Sequence, residues 1–79
     1  MTFSAFSGQD VSISSPMPGE IVKVLAHDKE FVQKGQPVFI VESMKILHEL
    51  HVPKSGTIEN ITVTPGEMIT PEQCLASLV

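Results

Sequence analysis

Residues 15–42, SPMPGEIVKVLAHDKEFVQKGQPVFIVE, and residues 52–79, VPKSGTIENITVTPGEMITPEQCLASLV, lie over one another without a gap at a separation of 37 residues. Pro16 meets Pro53, Gly19 meets Gly56, Ile21 meets Ile58, Glu30 meets Glu67 and Gln36 meets Gln73. Apolar pairs extend the match: Val24 with Ile61, Phe31 with Met68, Val32 with Ile69, Val38 with Leu75, Val41 with Leu78. Shared apolar alternation is common to any two β-rich segments. Coincident Pro, Gly, Glu and Gln at one offset go beyond it, and self-similarity of this kind marks repeated structural units.

Each half alternates at the strand period and is broken by turn signals at Pro18-Gly19, Lys34-Gly35, Ser55-Gly56 and Pro65-Gly66. Strands are predicted at 11–14, 21–26, 37–42, 46–52, 57–63 and 75–79. Nine valines and seven isoleucines against five leucines and three alanines favour strand over helix. The predicted fold is all-β, a sandwich of two quasi-symmetric halves of about four short strands each. Met17, Phe31, Phe39 and Met68 are expected in its core. At 79 residues the chain has room for one core. Residues 1–10 show no period and read as a flexible lead-in whose Phe3 and Phe6 could dock locally, leaving residues 11–79 as the domain.

Composition narrows the function. Nine acidic residues against five scattered lysines and no arginine give a net charge of −4, a poor match to a phosphate backbone, so no nucleic acid is expected. The longest apolar run, Val38 to Val41, is too short to cross a bilayer, and the first ten residues lack a signal-peptide pattern. A cytoplasmic setting with no membrane partner is expected. The single Cys74 forms no internal disulfide and is expected to pack as a small apolar residue. His48 and His51, three apart on a strand, face opposite sides, and no Cys-x-x-Cys accompanies them or His27, so no metal is expected. Glu42 and Glu49 have neither pocket nor nucleophile in the sequence and read as strand-end charges, not as an acid/base pair. So small a chain, without Trp or Tyr, is expected to carry or bind and not to catalyse.

The joint between the halves breaks the turn rule obeyed elsewhere. Val38 to Val41 and Ile46 to Leu50 alternate as the arms of a hairpin whose turn falls near Ser43-Met44-Lys45, with no Asn or Gly to take positive φ. Lys45 would stand outermost, between two large apolar residues, Met44 and Ile46. A solvated turn lysine is the ordinary reading; exposed apolar neighbours on a protrusion point to something grasped. A local rule broken at one place in an otherwise rule-abiding chain is a candidate site.

The chain here resembles a biotinyl domain of the biotin/lipoyl attachment family, similar to biotin carboxyl carrier protein. The resemblance rests on Ser15-Pro16-Met17-Pro18-Gly19, Lys34-Gly35-Gln36, Glu42-Ser43-Met44-Lys45-Ile46 and Lys54-Ser55-Gly56-Thr57, within residues 12–79. It implies a flattened β-sandwich (barrel-sandwich hybrid) with the modified lysine on a protruding hairpin. By this resemblance Lys45 forms an amide with the carboxylate of biotin, the cofactor, and Met44 and Ile46 are read by a biotin protein ligase, with Glu42 and Ser43 beside them. The implied role is that of a non-catalytic carboxyl carrier moving CO2 between a biotin carboxylase and a carboxyltransferase of a biotin-dependent carboxylase or transcarboxylase. Where biotinyl domains most often have Ala and Met around the lysine, this chain has Ser43 and Ile46. Lipoyl domains usually carry an acidic residue before the lysine and Ala after it, unlike Met44 and Ile46. The uninterrupted run from Lys23 to Glu30 leaves no place for the inserted thumb of some bacterial carriers, so a thumbless type is implied. A lipoyl carrier of a 2-oxo-acid dehydrogenase or glycine-cleavage system, and an unmodified β-sandwich used for protein contacts, are the alternatives.

Overall fold

The structure is a computed structural model and describes residues 11–79. The lead-in 1–10, with Phe3 and Phe6, lies outside the described residues. Eight strands run in order: β1 (Val11–Ile13), β2 (Gly19–Val24), β3 (Phe31–Val32), β4 (Pro37–Ser43), β5 (Ile46–His51), β6 (Gly56–Glu59), β7 (Met68–Ile69) and β8 (Ala76–Leu78). They form two four-stranded antiparallel sheets, β1-β8-β6-β3 and β5-β4-β2-β7. No helix forms among the described residues, and so none long and apolar enough to cross a membrane.

The separation of 37 residues carries β1, β8, β6 and β3 onto β5, β4, β2 and β7, so the two sheets are related by the repeat. A sequence half is nevertheless not a sheet. β3 leaves the first half to pair with β6, and β7 leaves the second to pair with β2, so each sheet takes two strands from either half. The core lies between the sheets. Ile21, Val32, Val38, Phe39, Val41, Ile58, Leu75, Ala76 and Leu78 have no exposed surface, and most face inward at the alternate positions of their strands.

The repeated polar residues close matched turns. Glu30 donates its backbone N–H to the His27 carbonyl (3.0 Å), and its carboxylate accepts from the His27 N–H (2.8 Å); Glu67 does the same with Thr64 (3.2 and 3.2 Å). Gln36 with Gln33 (2.9 and 3.1 Å) and Gln73 with Thr70 (3.1 and 3.4 Å) repeat the device with an amide oxygen. The equivalent Lys29 and Gly66 both take positive φ, 71° and 93°, and donate to the carbonyls of Ile58 and Ile21. Glu30→Ala should lower the urea midpoint by the equivalent of about 1 kcal/mol with the slope unchanged. Glu30→Gln should recover most of it, because the amide oxygen accepts the same bond.

Gly19 and Gly56 are not turn glycines, as the dipeptide pattern suggested; they open β2 and β6. A side chain on Gly19 would run into the Glu42 carbonyl oxygen and lie 2.8 Å from Val41 Cγ1, and one on Gly56 would lie 2.8 Å from the Val79 carbonyl oxygen. Both absences let paired backbones close up.

Three core assignments differ from expectation. Phe31 and Met68 are 62% and 68% exposed, because each opens a two-residue strand whose other residue, Val32 or Ile69, takes the inward position. Met17 is only half-buried. Cys74 is also exposed, its Sγ 3.3 Å from the Ala76 carbonyl oxygen, because it precedes β8 and Leu75 and Ala76 fill the core there.

Candidate functional site

Among the described residues β4 and β5 form the longest pairing, from Ser43↔Ile46 down to Pro37↔His51 with a register shift between Pro37 and Phe39. Two residues, Met44 and Lys45, make the turn, with φ of 53° and 66°. Positive φ at both central positions is the mark of a type I′ turn, whose twist suits a two-residue hairpin. Asn and Gly normally fill it because other side chains crowd the carbonyl in that conformation, at a cost of order 1–3 kcal/mol each. Here a methionine and a lysine fill it. No packing compensates, since Met44 is 91% exposed.

Lys45 is exposed, and no described residue forms an ion pair or side-chain hydrogen bond with it. Ile46, at 58% exposed, completes the apolar pair around it. Glu42 and Ser43, half-buried, end β4 immediately before the turn. The five residues singled out in the sequence are thus contiguous on one tip.

Strand pairing brings further residues to that tip. Met68 pairs with Glu20, Glu20 with Glu42, and Glu42 with Leu47, giving one row across the outer face of the sheet. Gly19, Glu20, Glu42, Ser43, Met44, Lys45 and Met68, with Pro18, border an open groove of about 490 Å³. Sequence reading missed Glu20 and Met68. The available signal was the match of Phe31 with Met68 beside the buried pair Val32 and Ile69. Glu49 and His51 lie on the outer face farther down β5, 3.1 Å apart. His48, opposite Val41, is turned to the other face. Among the described residues no three His, Cys, Asp or Glu side chains gather as a metal site.

A family model described as "Biotin-requiring enzyme" matches residues 11–78. The chain is 37% identical over 68 residues to the mitochondrial methylcrotonoyl-CoA carboxylase subunit alpha of Dictyostelium discoideum, covering 86% of this chain and 10% of that one. It is 38% identical over 58 residues to the biotin carboxyl carrier protein of acetyl-CoA carboxylase of Solanum lycopersicum, covering 73% of this chain and 83% of that one. The urea carboxylase of Kluyveromyces lactis contains the same fold, with a TM-score of 0.84 and 24% identity over all of this chain and 7% of the larger one. This chain therefore spans about a tenth of the first of these relatives and most of the second. With the repeat and the two four-stranded sheets in agreement with that match, the chain belongs to the biotin-requiring enzyme family of biotin/lipoyl attachment domains.

Proposed function

We propose that this domain is a biotin carboxyl carrier, with biotin held in amide linkage to the Nζ of Lys45. The observation that carries the reading is an exposed lysine, unpaired among the described residues, on a type I′ turn built from the wrong residues for stability, between exposed Met44 and Ile46. The residues fit the group. An ammonium free in water can be deprotonated and acylated, and an amide on an outward tip leaves the cofactor clear of the sandwich. Amide formation removes one positive charge, taking the formal net charge from −4 to −5.

When bound, biotin supplies a ureido nitrogen that takes up and gives off CO2. The chain's own part is positional. The β4–β5 hairpin is braced by Phe39 and Val41, which have no exposed surface, so the tether starts from a rigid point while the four-carbon lysine stem moves. A short flexible tether raises the local concentration of its cargo at a docked active site to the millimolar range. The partners in this reading are a biotin protein ligase, a biotin carboxylase and a carboxyltransferase, the last two as subunits or as domains of a larger chain.

The test is intact mass with peptide mapping after co-expression with a biotin protein ligase and, separately, with a lipoate ligase. A biotinyl adduct on Lys45 alone is the expected result. A lipoyl adduct in its place would reassign the domain to acyl or aminomethyl transfer, and no adduct from either would leave an interaction module.

Met44 divides stability from recognition. Met44→Asn places a residue tolerant of positive φ in the turn and removes no buried surface, so the variant should be about 1 kcal/mol more stable in urea. It should also accept biotin roughly tenfold or more slowly, because burying a methionine in the ligase is worth about 1.5–3 kcal/mol. A variant both stabler and equally fast would remove Met44 from the recognition set.

A further inference from the structure

The row Met68, Glu20, Glu42, Leu47 has a repeat-related counterpart on the other sheet. There Phe31 pairs with Thr57, and Thr57 exchanges backbone bonds with Val79 (2.9 and 2.9 Å). The fold thus accepts threonine and valine at the two central positions. At the lysine end both are carboxylates placed directly opposite one another, an arrangement that like-charge repulsion disfavours. Among the described residues no cation pairs with either. Met68 is 68% exposed at one end of this row, and the groove it borders is bordered also by Lys45.

Resting on the carrier reading above, we propose that this groove is a docking place for the ring system tethered to Lys45. The Glu20 and Glu42 carboxylates accept hydrogen bonds from the two ureido N–H groups, and Met68 and Met44 lie against the thioether ring and the hydrocarbon chain. The chemistry is complementary. A cyclic urea carries one N–H donor on either flank of its carbonyl, carboxylates are acceptors only, and charge-assisted bonds are the stronger kind. The groove is open, so the contact is weak. Because the ligand is tethered to a residue of the groove itself, it is present at high local concentration, and a weak contact suffices to populate the docked state. A carrier gains from this: a reversible rest position keeps the ring off other surfaces without holding it against an active site.

The experiment uses the full chain biotinylated by the ligase, with the adduct on Lys45 first verified by mass. Methionine-methyl and amide NMR spectra are then compared with those of the unmodified protein and of Lys45→Gln, which lacks the charge and the ring alike. Docking predicts shifts at the Met68 methyl and the Glu20 amide, on β7 and β2, in the biotinylated protein alone. In the biotinylated double variant Glu20→Ala, Met68→Ser, which removes the acceptor and the apolar contact, the shift on biotinylation should vanish at the backbone amide of position 20. Capture of the tethered biotin by avidin should then become about threefold faster, since capture scales with the undocked fraction. A verified adduct with shifts confined to residues 43–47 and an unchanged capture rate would overturn the docking proposal while leaving the carrier reading standing. Failure to form the adduct would instead remove the carrier reading, and the docking proposal with it.

Discussion

Lys45→Arg gives a folded protein that takes up no biotin. The folding half of this expectation follows from exposure: Lys45 makes no described side-chain hydrogen bond or ion pair, and arginine keeps the positive charge and the long stem. The urea midpoint should therefore stay within about 0.5 kcal/mol of the parent, as for surface substitutions generally. The chemical half follows from the guanidinium, which stays protonated and delocalised at any working pH and offers no free amine to acylate. Lys29 supplies an internal control. It too is an exposed turn lysine at positive φ, but Asp28 and Glu30 flank it where Met44 and Ile46 flank Lys45. Intact mass of Lys45→Arg after co-expression with the ligase should show no adduct. Biotin appearing on Lys29 would mean that turn geometry alone is read and that the apolar flanks are not. Biotin on Lys23, Lys34 or Lys54 would sink the assignment of the attachment point altogether.

The repeat was legible because both halves meet the same physical demands. Glu30 and Glu67 close equivalent turns, and Gly19 and Gly56 admit equivalent backbone contacts. The tip was legible for the opposite reason, as residues that suit a type I′ turn poorly stood where the alternation of its two arms required one. What could not be read was the pairing between distant strands. β3 and β7 are two residues long, too short to show a period, so Phe31 and Met68 looked like core when only Val32 and Ile69 turn inward. The same gap hid Glu20, which reaches the lysine end through its register with Glu42 and Met68, on strands far apart in sequence. Cys74 misled because its residue type is usually buried, whereas its place just before β8 leaves it outside.

Phe39→Ala should remove most of the domain's stability. Among the described residues Phe39 is the largest side chain with no exposed surface, and it sits mid-strand in β4, paired with Val24 of β2 and Leu50 of β5. A register shift between Pro37 and Phe39 lets Val38 and Phe39, adjacent in sequence, both be fully buried, so the ring fills space that the regular alternation would leave to one residue. Truncating a buried phenylalanine costs about 3–5 kcal/mol. At 0.05–0.15 kcal/mol per residue the whole domain has roughly 4–12 kcal/mol to lose. At 4–8 °C per kcal/mol for a domain of this size, the thermal midpoint should fall by about 12–40 °C, read by circular dichroism. A loss below about 1 kcal/mol would mean that the neighbouring strands close over the gap, and that the hairpin is braced by backbone pairing and not by its core. The variant also separates presentation from chemistry. Phe39 lies on the strand below the turn and touches neither Met44 nor Lys45 through strand pairing, so below its lowered midpoint Lys45 should be biotinylated at the parental rate. Above that midpoint nothing holds Met44 and Lys45 at positive φ, and the rate should fall with the folded fraction. A rate indifferent to unfolding would show that the ligase reads Glu42 to Ile46 as a bare peptide, and the strained turn would then need another explanation.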